Sequence, residues 1–302
     1  MKELSSKDYT VTQLCTMVGI SPQGYYKRLS RRHDDFEQYS HLERVVINER
    51  KTKSRAGLRA IYYKRNLSSL LGVNRFERQM SLRGYALKPH KSFLKTTDSR
   101  GHHHKYENLI SGKEVNGANQ VVSGDITYYP SAVGLFYIFS FTDLYTFEIK
   151  GIIGSKNMQG IHAEKCLRQV MKYNKKRKYE RKLIIHTDGG GQYRSNAYQK
   201  IIRKAEILPS QAKTCLENGL AERVNGIIKN DFLIDFNVKS EQQLNKLLKQ
   251  IQRDHNQKWP SSKLGWKTPC QYARWIEKLP LLKRPVMKIK EVDQKKNGFS
   301  KE

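Results

Sequence analysis

The stretch KLIIHTDGGGQY, residues 182–193, sets an aspartate at the end of an apolar run and follows it with three glycines. Leu183, Ile184 and Ile185 read as a buried strand, and the segment beyond Tyr193 reads as a helix. Strand, turn and helix in that order are the unit of an α/β sheet, whose ligand sites lie at the carboxyl ends of its strands. Asp188 stands at such an end. A turn needs one glycine or two. The third predicts that something must come close to the backbone here.

The neighbouring segments agree with that unit. NQVVSGDITYYP (119–130) and GLFYIFSFTDLYTFEIKGIIG (134–154) are rich in Val, Ile, Phe and Tyr, with Gly and Pro at their edges. They predict three successive strands joined by short turns. NMQGIHAEKCLRQVMKYN (157–174) and SNAYQKIIRKAE (195–206) carry helical spacing. An α/β domain with a mixed sheet follows, assigned to residues 118–280.

Residues 1–40 read as a helix-turn-helix. Ser21 is placed to cap a second helix with Pro22 at its first position, and that helix carries Lys27 and Arg28. Residues 41–90 form a second basic helical module that includes Arg59 and is punctuated by Gly57, Gly72 and Gly84. Residues 91–117, with the run His102–His104, read as a linker, and residues 281–302 as a basic flexible tail.

Charge narrows the function classes. The 302 residues hold 57 Lys and Arg against 28 Asp and Glu, a formal net charge of +29, which favours a polyanionic partner. No run of about 18 apolar residues spans a membrane, and no basic amphipathic anchor points to a membrane surface. Cys15, Cys166, Cys215 and Cys270 are scattered without a C-x-x-C pair, which reads as reduced thiols in a cytoplasmic protein rather than a zinc or redox site. No P-loop and no G-x-G-x-x-G opens a helix, so a nucleotide-phosphate loop is the weaker reading of the glycines.

In so basic a chain, acidic residues in apolar settings stand out. Asp125 lies inside a strand, on one face with Val121, Ser123 and Thr127. A carboxylate there is costly unless it is paired or holds a metal. Asp188 ends the next strongly apolar strand. Glu222, in ENGLAERVNGIIKNDF (217–232), faces away from the stripe Leu220, Val224, Ile227 and Ile228, with Gly226 leaving its neighbourhood open. Three such carboxylates can hold two hard divalent cations for in-line displacement at phosphorus. On that reading the glycines beside Asp188 let a nucleic-acid strand reach the metals. Lys229, two helical turns beyond Glu222 and roughly 10 Å along the axis, is placed to contact DNA near the cut.

The ordered motifs DITYYP, HTDGGGQY and ENGLAERVNGIIKNDF, followed by DHNQKWPSSKLGWKTPCQY (254–272), resemble the second-reading-frame (OrfB) product of the bacterial insertion-sequence-three family of DDE transposases, related to retroviral integrases. The likeness extends upstream through AGLRAIYY, VNRFERQMSLRGY and LCTMVGISPQGYYKR. It implies a ribonuclease-H-like core with a mixed five-stranded sheet, preceded by an all-α helix-turn-helix region. It further implies that Asp125, Asp188 and Glu222 bind two Mg²⁺ ions, replaceable by Mn²⁺, for strand nicking and strand transfer. The expected partners are double-stranded DNA at the element's terminal repeats and at its target, further copies of the chain as a homo-oligomer on DNA, and a first-frame product as fusion or partner. The expected location is cytoplasmic and nucleoid-associated. Three features depart from the family pattern: a short interval between Asp188 and Glu222, Val122 where tryptophan is usual, and no tyrosine before Gly57. None removes a catalytic group. The alternative is a DNA-binding regulator that kept the fold and lost catalysis.

Overall fold

The computed structural model describes residues 9–88, 106–174, 182–212 and 218–291. The chain opens with α1 (Val11–Met17), where Thr10 and Gln13 form a reciprocal capping box. Ser21 Oγ accepts the Gly24 N–H and Pro22 takes the first helical position, so α2 (Pro22–Arg50) starts where the sequence places it. α2 runs on without a break through the boundary expected at residue 40. α3 (Leu58–Lys64) and α4 (Val73–Met80) complete the helical region.

A short β1 (Glu114–Val115) precedes the strands β2 (Val121–Ser131), β3 (Gly134–Asp143) and β4 (Ile149–Ser155). Then come α5 (Gly160–Asn174), β5 (Ile184–Thr187), α6 (Asn196–Lys204), β6 (Leu208–Gln211), α7 (Gly219–Gly226), α8 (Glu241–Gln257), α9 (Pro269–Glu277) and β7 (Met287–Lys288). The main sheet has the order β4-β3-β2-β5-β6. Its first three strands pair antiparallel, whereas β5 and β6 join parallel. This is the expected mixed five-stranded α/β sheet. β6 runs into the first three residues of PSQAKTCLEN (209–218), whose polarity and Pro209 read as loop; an edge strand tolerates proline because one side of its backbone needs no partner. β1 and β7 pair with each other, so a piece of the expected linker and a piece of the expected tail form a two-stranded ladder.

Alternation along β3 divides the interior. Phe139 and Phe141 pack with Val122, α5 and α6 on one face, in a cluster with Leu167, Val170 and Ile202. Phe136 and Ile138 point to the other face, where α7 and α8 lie. That second cluster also takes in Tyr39, Leu42, Val46, Ile61 and Phe76, so α2, α3 and α4 share one apolar core with the sheet.

The outer edge of β4 is closed by amide side chains. Asn245 bonds both the N–H and the C=O of Gly154, and Asn256 bonds both groups of Ile149. Gln252 adds a second donor to the Ile149 carbonyl, and Gln169 accepts the Ile152 N–H. These contacts satisfy an edge that would otherwise invite another strand. Glycine lets the helices come this close: a Cβ on Gly154 would lie 2.4 Å from Leu244 of α8, and one on Gly151 would lie 2.5 Å from the Cys166 carbonyl of α5.

Candidate active site

Asp125 sits midway along β2, opposite Ser140 of β3. Its side chain is half-buried on the α7 face. Asn225 Nδ2 donates to Asp125 Oδ2 at 2.8 Å, and Ser140 Oγ donates to Asn225 Oδ1 at 2.7 Å. With both ends of its amide engaged, Asn225 can face Asp125 in only one sense. Asp125 has no ion-pair partner among the described residues. Burial first, and then the negative charges of Asp188 and Glu222, push its carboxyl up to about 7.

Asp188 follows the last residue of β5 and is exposed. Its Oδ1 accepts the Gly190 N–H at 3.0 Å, a local turn that orients the carboxylate. The three glycines have three different reasons. Gly189 has φ +74°, and a Cβ there would lie 2.1 Å from the Gln211 side chain. A Cβ on Gly190 would lie 2.6 Å from Gln192 Oε1 and 3.3 Å from Asp188 Oδ1. Only Gly191 borders open space. Gly189 therefore serves the turn and its packing against buried Gln211, whereas Gly190 is crowded only by the movable end of the Gln192 side chain.

Glu222 is exposed on α7. The helix is fastened to β2 at two points about two turns apart on one face. Ser123 Oγ donates to Asn218 Oδ1, while Asn218 Nδ2 reaches the Gly124 carbonyl at 3.4 Å, and Asn225 holds Asp125. A Cβ on Gly226 would meet nothing nearer than 4.0 Å, so the space beside Glu222 is open as the sequence suggests. After Gly226 the helix widens into a π-helical stretch, Ile227–Leu233, which carries Lys229. Lys229 is half-buried; burial lowers its pKa and the charge of Asp125 opposes that shift, so the two groups are neighbours.

The three carboxylates thus converge on one region, at the carboxyl end of β5 and the α7 face of β2. They are spread around a space rather than gathered on a point: among the described residues, no group of three His, Cys, Asp or Glu side chains is tight enough to hold one metal ion. The donors fit hard cations all the same. They are oxygen ligands, and a half-buried carboxylate facing like charges gains most from a divalent cation between them.

Comparison with known proteins bears on this geometry. The integrase core domain family matches residues 115–214, and a second integrase core domain family matches residues 203–269. A transposase for insertion sequence element IS904 from Lactococcus lactis is 25% identical over 254 residues, spanning 83% of this chain and 99% of the relative. The transposase InsF for insertion sequence IS3A from Escherichia coli is 26% identical over 236 residues, or 73% of this chain and 78% of the relative. The chain carries an integrase core and is similar along most of its length to bacterial insertion-sequence transposases. Among solved structures, the HTLV-2 integrase catalytic core domain in complex with magnesium has a TM-score of 0.39 at 23% identity, covering 55% of this chain and 99% of its own. A simian T-cell lymphotropic virus intasome has a TM-score of 0.45 at 20% identity, covering 65% of each chain.

The other residues singled out in the transposase sequence are dispersed. Lys27 and Arg28 are exposed on α2. Arg59 is exposed on α3 but bonded to Glu77 at 2.8 Å and to Asn74 at 3.1 Å, so acidic compensation does occur in the helical region. His102–His104 and Cys215 lie outside the described residues. Among the described residues, no helix is long and apolar enough to cross a membrane. Sequence reading placed Ser123 on the face of Asp125 but gave it no role, and passed over Ser140, Asn218 and Asn225. The seven-residue spacing of the two asparagines, which puts both on one helical face beside Glu222, is the signal that finds them.

Proposed function

We propose that this transposase nicks the ends of its element and joins them to target DNA, with Asp125, Asp188 and Glu222 holding two Mg²⁺ ions that Mn²⁺ can replace. The observation that carries the reading is Asp125, a carboxylate within a strand that faces two further acidic groups and, among the described residues, forms no ion pair, its donors being Asn225 and the Ile126 backbone. When bound, such ions supply Lewis acidity at the attacking and leaving oxygens of a displacement at phosphorus.

The chain's own contribution is positional. Asn225, locked by Ser140, keeps Asp125 in one rotamer, and Asn218 fixes the start of α7 so that Glu222 is held over β2. The Asp188–Gly190 turn orients the third carboxylate on a rigid strand end. Lys229 supplies a positive charge for a DNA phosphate beside Asp125, and Lys27 and Arg28 supply charges for the duplex further away. Arg59 reaches DNA only by leaving Glu77. The partners on this reading are the element's terminal repeats, target DNA, other copies of the chain and a first-frame product, met at the bacterial nucleoid.

Asp125→Cys tests the reading. Sulfur is a poor ligand for Mg²⁺ and a better one for Mn²⁺. The variant is expected to lose strand nicking in Mg²⁺ and recover a measurable part in Mn²⁺, while Asp125→Ala stays silent in both. Equal impairment of the two variants, whatever the metal, removes Asp125 from the metal site.

A further inference from the structure

The capped edge of β4 forms the floor of a cleft of about 930 Å³ between α5 and α8, closed at one end by α9. One wall presents Lys172, the other Lys249 and Arg253, and Arg274 stands at the end; all four are exposed. None of them is in an ion pair among the described residues. Among the described residues, no acidic side chain lines the cleft. Glu148 lies beneath it, fully buried, and is already bonded by Lys150, Tyr173 and Cys270. Lys249 and Arg253 are one turn apart on α8, about 6 Å along the axis. Gln169 and Gln252 line the floor but are occupied in closing the strand edge.

From this arrangement we propose that the α5–α8 cleft is a second DNA-binding surface, seating a stretch of duplex phosphate backbone away from the acidic site. The cleft runs along β4, two strands from β2 in the sheet order, so a duplex held there is a different segment from the one at Asp125. The occupant follows from charge. Four uncompensated cations around a concave floor attract phosphates without reading sequence. A second copy of the chain is disfavoured, because a two-fold contact would set Lys172, Lys249, Arg253 and Arg274 against themselves. The identity of the polyanion rests on the DNA reading above, and the surface is tested without catalysis.

The experiment compares the full chain with a Lys172→Ser, Lys249→Ser, Arg253→Ser triple variant, in EDTA, by fluorescence anisotropy on a short mixed-sequence duplex across a salt series. Three lost phosphate contacts should reduce the slope of log K against log salt by about 2.7 and weaken binding at low salt roughly tenfold or more. The second measurement needs no variant. Cys270 is half-buried in the cleft, and peptide-resolved alkylation of its thiol should slow severalfold when wild-type protein is saturated with the duplex. An unchanged salt slope, or an alkylation rate indifferent to DNA, overturns the proposal. So does a change of oligomeric state in the triple variant without DNA, which would make the cleft a contact between copies. Loss of nicking by the Asp125 variants with this surface intact would leave the two readings separate.

Discussion

Asp125 and Glu148 are carboxylates of one sheet with opposite surroundings. Glu148, just before β4, is fully buried and accepts from Lys150 at 2.6 Å, Thr146 at 3.2 Å, Tyr173 at 3.1 Å and Cys270 at 3.4 Å. Asp143, at the end of β3, is as buried and accepts three backbone N–H groups, from Asn119, Tyr145 and Thr146. Asp125 is less buried, yet has only the Asn225 side chain and the Ile126 backbone as donors and faces two like charges. Burial alone therefore does not mark a functional carboxylate. What marks it is burial left uncompensated, because the protein has kept a cost that a bound cation can offset.

Catalysis gives the sharpest way to break that contrast. Asp188→Ala is expected to lower strand nicking at least about 10⁴-fold, ~5.5 kcal/mol of barrier, with the unfolding midpoint nearly unchanged. Glu148→Ala should show the reverse pattern. It leaves the fully buried Lys150 ammonium without its counterion and should cost about 3–5 kcal/mol by urea denaturation. Nicking by whatever remains folded should persist. A stable, inactive Glu148→Ala would transfer the functional role from one carboxylate to the other.

Acid stability probes a third buried group. Among the described residues, His255 is bonded through its side chain to the Phe147 carbonyl alone, donating to it at 2.9 Å, and burial pushes its pKa down to about 4. The unfolded chain holds this histidine near 6.5, so between the two values the unfolded state binds more protons and stability falls as pH falls. From pH 7 to pH 5 the loss due to His255 is about 2 kcal/mol, measured as the change in urea unfolding free energy. His255→Gln should flatten that part of the profile.

The smallest effect sharpens the comparison most. Asp125→Asn removes a charge that its neighbours oppose and should raise the stability of the metal-free protein by about 1 kcal/mol. Wild type should gain melting temperature on adding Mg²⁺, and the variant should lose most of that gain. A destabilised Asp125→Asn would place Asp125 with Asp143 and Glu148 among the structural carboxylates.

Sequence alone carried much of this molecule. The cap at Ser21, the three strands after residue 118, the strand ending at Asp188 and the open flank of Glu222 are written in short-range patterns that neighbouring residues satisfy among themselves. The tertiary structure decided the rest. Asn218 and Asn225 matter because α7 lies across β2, and no local spacing names the strand a helix will cover. The helices of the basic region were legible, but not that α2 and α3 pack with Ile228, Phe232 and Trp259 instead of forming a core of their own. Gly189 reads as an opening for DNA in the sequence, but Gln211 occupies the space beside it. Periodicity states which side of an element avoids water; which surface receives it depends on contacts a hundred residues away, where the chain has already folded back on itself.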